Sequence, residues 1–152
     1  MTQSELLRLE GLIPETRKLV ELLVDRMRAR GFDCYIGSTR RTQAEQEQAR
    51  LAGKTSATQV RSWHELGRAV DIRPRKKNGG PNYDVSEASE PFWRALWEES
   101  KVLGMRCLGF TESGDKLFIN TVRGKVRDPG HVEHRGPYAT LREALAKEQT
   151  HG

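Results

Sequence analysis

The sequence predicts an α+β fold, a small antiparallel sheet flanked by helices. Three observations point there. Well-capped helical stripes are mixed with short β-rich segments, the order of elements has no βαβ rhythm, and no period of 20–50 residues repeats. At 152 residues, a single domain spanning 1–152 is expected, without disulfides or a metal needed as a staple.

Each element has a local reason. Thr2 and Glu5 have the spacing of a capping box and open a first helix. Pro14 suits the first turn of a second, which carries Leu19, Val20, Leu23, Val24 and Met27 on one stripe and ends at Gly31. Phe32–Gly37 reads as a strand, and Thr42–Ala52 as a helix stopped by Gly53. A polar loop, Lys54–Arg61, precedes a short buried strand at Ala69–Ile72. Arg73–Tyr83, with four basic residues and Asn-Gly-Gly-Pro, should be an exposed loop. A helix from Pro91 to Leu103 points Phe92, Leu96 and Val102/Leu103 inward, with Trp93 and Trp97 flanking. Strands are expected at Met105–Phe110 and Leu117–Val122, joined by a turn, and at His131–His134. A last helix starts at Thr140, with Glu143 as its capping partner.

Composition excludes several classes of function. The longest apolar runs, such as Leu22-Leu23-Val24, are three residues, so no helix inserts stably into a membrane. The N-terminus lacks a basic start followed by an apolar block, so no secretory signal is expected. Cys34 and Cys107 sit in apolar surroundings without a Cys-x-x-Cys partner and read as buried small hydrophobes. The formal charge of +5 would attract nucleic acid, anionic membrane or anionic wall polymer alike. No recognition helix or stacking-aromatic pattern accompanies the basic stretch Arg73–Lys77, so nucleic acid is not expected as a partner.

The histidines carry the chemistry. His151 adjoins the C-terminus and is expected to fray. The others lie in two Gly-bounded segments, Ser62-Trp-His64-Glu-Leu-Gly67-Arg-Ala69-Val-Asp71 and Asp128-Pro-Gly-His131-Val-Glu133-His134. A catalytic zinc site takes three N/O ligands and keeps one position open. His64 and Asp71 could supply two of them, and His131 or His134 the third. Asp128, three residues before His131, could lie near the open position, where a general base must sit.

The first segment resembles the Ser-x-His-x-x-Gly-x-Ala-x-Asp signature of the D-alanyl-D-alanine carboxypeptidase and dipeptidase family of zinc peptidases. That family includes VanY-like enzymes and phage L-alanyl-D-glutamate endolysins, and it shares its core with the hedgehog signalling domain. Asp128-x-x-His131 is similar to the family's acid-x-x-His motif, and Glu133 matches its His-x-Glu ending. Ser38-Thr-Arg-Arg41-Thr42-Gln-Ala-Glu-Gln46 resembles its Ser-x-x-Arg-Ser/Thr-x-x-x-Gln. The resemblance implies one zinc ion held by His64, Asp71 and His131, with Asp128 as catalytic base. It makes Arg41 the clamp on the scissile carbonyl and developing oxyanion, with Arg40 as the competing choice. Gln46 would be a weaker substrate contact. Ser62 would be either a substrate contact or a local turn cap. His134 is read as supporting the ligands from behind or facing solvent.

Two departures bear on substrate choice. The family's Trp-Gly-Gly stretch is replaced by Leu108-Gly-Phe-Thr-Glu-Ser-Gly-Asp, and Val132 stands where an aromatic often follows the third ligand. The function implied is hydrolysis of peptidoglycan stem peptides. An L-alanyl-D-glutamate endopeptidase is expected, a monomeric phage endolysin held in the host cytoplasm until a holin releases it to the wall. The alternatives are a D,D-carboxypeptidase of the VanY kind and a zinc-stabilised binding domain without activity.

Overall fold

The structure is a computed structural model that describes residues 1–40, 47–48, 50–53 and 62–148. Helices α1 (Gln3–Glu10) and α2 (Pro14–Ala29) lead into strand β1 (Cys34–Ile36) and then β2 (Ala69–Pro74). A 3-10 turn at Glu87–Ser89 runs into α3 (Glu90–Val102). Four short strands follow, β3 (Arg106–Cys107), β4 (Ile119–Thr121), β5 (Gly124–Val126) and β6 (His131–Glu133), before α4 (Leu141–Glu148). The main sheet has the order β1-β2-β6-β3, with every pairing antiparallel, and β4 and β5 form a separate hairpin. Among the described residues, no helix is long and apolar enough to cross a membrane.

Strand alternation sorts the residues of β2 and β6 onto two faces. Val70, Ile72 and Val132 join the main core, formed with Val20, Leu23, Val24 and Met27 of α2 and Phe92, Trp93 and Leu96 of α3. Ala69 belongs to a smaller cluster with Trp63, Leu66 and Ala144. Asp71, Arg73, His131 and Glu133 alternate with the core residues and so share the face away from the main core. Register fixes their neighbours: Asp71 stands opposite His131, and Ala69 opposite Glu133.

Thr2 and Glu5 form the capping box, and α2 starts at Pro14 as expected. Glu5 does more than cap. Its carboxylate is fully buried and accepts hydrogen bonds from the Thr2 and Ile36 amides and from Arg75 at 2.6 Å. Burial alone would raise its pKa, but those bonds outweigh burial and hold it at about 2. Here the expected loop Arg73–Tyr83 is corrected. β2 runs on to Pro74, and Arg75 pairs with Pro81 while its side chain also binds the Cys34 and Gly79 carbonyls. A buried carboxylate needs a cation, and that need draws Arg75 inward.

Two further expectations change. Trp93 is fully buried and packs edge-on against Phe92, whereas Val102 is 63% exposed. Phe92, Trp93, Leu96 and Ser100 follow the 3.6-residue period, and Val102 falls off that stripe. The two strands expected between Met105 and Val122 do not form one hairpin. Among the described residues they share one isolated bridge, Phe110 with Lys116, flanked by the Leu117 amide donating to the Gly109 carbonyl, while β3 is engaged by β6 and the Leu108 amide donates to the His131 carbonyl. Both cysteines are buried and free, as expected.

The Glu5–Arg75 pair predicts a stability effect. Glu5→Ala should lower unfolding free energy by about 3 kcal/mol, because it strands a partly buried guanidinium. Urea denaturation of wild type and variant would measure it. Since folding depresses the Glu5 pKa from 4.5 to about 2, the wild-type advantage should be full above pH 4.5 and fade as pH falls through that window.

Candidate metal centre

Gly67 sets the first ligand's approach. Its φ of +69° closes the turn after His64, and a Cβ there would stand 2.8 Å from the Gly11 carbonyl oxygen. The chain then enters β2, whose third residue is Asp71. Backbone bonds grip that residue from β1: the Gly37 amide donates to the Asp71 carbonyl and the Asp71 amide to that of Ser38. On the other side, Asp128–Gly130 folds tightly against β2. The Gly130 carbonyl accepts from the Ile72 amide, and any Cβ at Gly130 would overlap the Ile72 carbonyl oxygen.

The result is a compact donor set. One ligand atom each from His64, Asp71 and His131 lies within 4.8 Å of the others. Asp71 Oδ1 is 3.2 Å from His64 Nε2 and 3.6 Å from His131 Nδ1, and the two imidazole rings meet nearly edge-on at 5.1 Å. Both rings are oriented from behind. His64 Nδ1 lies 2.6 Å from the Thr39 carbonyl, and His131 Nε2 lies 2.9 Å from Glu133 Oε1. Those partners only accept, so each of these nitrogens carries a proton. His64 Nε2 is then a buried lone pair with no hydrogen-bond partner. An unsatisfied buried nitrogen is costly unless something else binds it. Two imidazoles and a carboxylate with an orphaned lone pair are the donor set a catalytic Zn²⁺ ion takes.

Charges around the set are tuned by neighbours. Burial opposes charge on His131, but the nearby Asp71 carboxylate and the hydrogen bond to Glu133 outweigh it and push its pKa up to about 10. Burial would also raise Glu133, yet its bonds from His131 and from Arg135, at 2.5 Å, hold it at about 2. Asp128 is shifted the other way. Burial and the adjacent Asp71 charge raise its carboxyl pKa, against the opposing pull of His131, His64 and Arg73. Asp71 and Asp128 both line a cleft of about 540 Å³, together with Tyr35, Ser38, Arg73 and Tyr83.

The structure thus brings together His64, Asp71, His131 and Asp128. Arg41 and Gln46 lie outside the described residues, as do His151 and the start of the helix expected at Thr42. Arg40 is exposed and donates to the Glu65 carbonyl. Among the described residues the buried Ser62 hydroxyl oxygen has no hydrogen-bond partner and caps none of them; the Glu65 amide bonds the Ser62 carbonyl. His134 is a correction. It neither supports the ligands nor faces solvent, but is buried with Nδ1 2.8 Å from Thr16 Oγ1 on α2. Residue 134 lies an odd number of positions from 131, so strand alternation turns it away from the ligands. Thr39 was missed because it acts through its backbone carbonyl, which leaves no side-chain signature.

Comparison with solved structures places the architecture. Serratia marcescens L-Ala D-Glu endopeptidase ChiX superposes with a TM-score of 0.61 at 18% identity, over 95% of this chain and 92% of that one. A vancomycin-resistance D,D-pentapeptidase, VanY from a VanB-type cassette in complex with Zn(II), gives 0.56 at 18% identity over 91% and 78%. The LD-carboxypeptidase LdcB gives 0.55 at 15% identity over 91% and 64%. The chain has the VanY-like peptidase fold. No protein-family model matches the sequence, and neither does any curated protein.

The geometry predicts one zinc per chain by calorimetric titration. His64→Ala should weaken binding sharply in the same titration, by more than Glu133→Gln, whose loss should be about 10- to 100-fold. Because zinc must displace the His131 proton, held up to about pH 10, affinity should rise about tenfold per pH unit between about pH 6 and 8.

Proposed function

We propose that this protein is a zinc-dependent hydrolase of peptidoglycan stem peptides that cuts the L-alanyl–D-glutamate bond. The observation that carries the reading is Asp128. A site built only to hold a structural ion has no use for a further carboxyl in the same cleft, beside the donor set and with its pKa raised. The likeness to ChiX over nearly the full length of both chains supports the choice of bond. The charge of +5 suits adsorption to an anionic envelope. The biological role we infer is that of a monomeric phage endolysin acting on the host wall.

His64, Asp71 and His131 would hold the zinc, which when bound supplies Lewis acidity toward the scissile carbonyl and toward water. The chain's own groups do the rest. Asp128 accepts a proton from the attacking water and returns it to the departing amine nitrogen, as a carboxyl with a raised pKa can do in both directions. Arg41, in the role the sequence motif assigns it, steadies charge developing on the carbonyl oxygen, with Gln46 and the unspent Ser62 hydroxyl contacting the substrate. Thr39 and Glu133 keep the two imidazoles aimed.

Digestion of purified sacculi followed by mass spectrometry tests the reading. New L-alanine C-termini paired with D-glutamate N-termini are expected, and release of only terminal D-alanine would assign the carboxypeptidase activity instead. Asp128→Ala should keep its zinc and lose at least about 10³-fold in rate, in the upper part of the usual 10²- to 10⁴-fold contribution of an acid–base group because it serves both proton transfers. Lysis that persists in Asp128→Ala would contradict the mechanism.

A further inference from the structure

Beyond its pull on the Asp128 carboxyl, Arg73 has no part in the chemistry above, yet it faces the same cleft. It stands two residues beyond Asp71 on β2, on the same face and about 7 Å further along the strand. Its guanidinium lies 4.6 Å from the centroid of the Tyr83 ring, and its cross-strand neighbour is Tyr35; both tyrosines line the cleft. Among the described residues two arginines line this cavity, and their situations differ. Arg127 is almost wholly buried, ion-paired with Glu90 and bonded to the Gly109 carbonyl. Arg73 makes no ion pair within 4.0 Å among the described residues. Stacking on a ring occupies the face of a guanidinium and leaves its N–H edge free, and that edge is the part that matches a carboxylate.

We propose that Arg73, shelved on Tyr83, receives the free carboxylate of the substrate residue on the leaving side of the scissile bond. The inference rests on the peptidase reading and refines its substrate. D-glutamate carries two carboxyl groups and only one can continue the peptide, so the other remains as an anion near the amine that departs. The protein therefore acts on stem peptides whose D-glutamate keeps that carboxylate and discriminates against those in which it is amidated.

Two synthetic stem tripeptides decide this, identical except that the free D-glutamate carboxylate is a carboxamide in one. Zinc-loaded wild type should favour the carboxylate form in kcat/KM by about 10- to 100-fold, the usual worth of a charge-assisted bond. In Arg73→Met the preference should fall to within about 3-fold, because the carboxylate substrate loses the more; any effect through the Asp128 carboxyl falls on both substrates alike. Arg73→Lys, which keeps the charge but not the fork, should retain part of it and serves if Arg73→Met does not fold. An unselective wild type, or equal losses on both substrates in Arg73→Met, would overturn the assignment. A wild type that cleaves neither peptide would remove the peptidase reading itself, and this inference with it.

Discussion

The antiparallel pairing of β2 with β6 is the constraint on which the rest of the site depends. Its register sets Asp71 opposite His131, and cross-strand neighbours are close enough for their side chains to meet. A slip of one residue would turn His131 into the main core and bring Val132 to the site, since side chains alternate with a period of two. The slip is blocked from both sides. Val70, Ile72 and Val132 are buried against α2 and α3, and Gly130 packs on the Ile72 backbone too closely for any side chain. Core packing thus fixes the relative position of two ligands without any metal being required.

The remaining ligand comes from a turn, and its precision has another source. His64 is held by a hydrogen bond to a backbone carbonyl, and the Thr39 that offers it is itself tied to α1 through its hydroxyl, 2.5 Å from the Arg8 carbonyl oxygen. The Glu133–Arg135 pair does the same for His131 from the opposite side, and Arg135 in turn lies over the Trp63 ring. Carboxylates and imidazoles gathered in one half-buried place would ordinarily destabilise a fold. Here His131 and Glu133 are paired and Arg135 completes the Glu133 carboxylate, while among the described residues the His64 lone pair, which faces Asp71, has no hydrogen-bond partner. That unsatisfied nitrogen separates a metal site from a merely well-bonded histidine cluster.

What the sequence made legible follows from how each residue acts. Side chains that act directly carry their own signature: His64, Asp71, His131 and Asp128 stand in two short spacings and meet in the structure. Helix caps and stripes were legible for the same reason, because they are local. Features set by long-range needs were not. Arg75 leaves its apparent loop because Glu5, about 70 residues earlier, is buried and charged. The strand after Met105 is cut short because β6 claims its backbone, and His134 is drawn to Thr16 of α2. Thr39 was invisible since every residue has a carbonyl.

The cleft joins these layers: Asp71 of the metal-type donor set lines it, beside a carboxyl with raised pKa and an arginine that makes no ion pair among the described residues. The account stands or falls on the donor set. Zinc K-edge X-ray absorption on the loaded protein tests it most directly. The predicted spectrum has only nitrogen and oxygen neighbours at about 2.0–2.2 Å, with the multiple-scattering signature of two imidazoles, reduced to one in His64→Ala. A sulfur neighbour at about 2.3 Å, or a wild-type spectrum unchanged by His64→Ala, would contradict it.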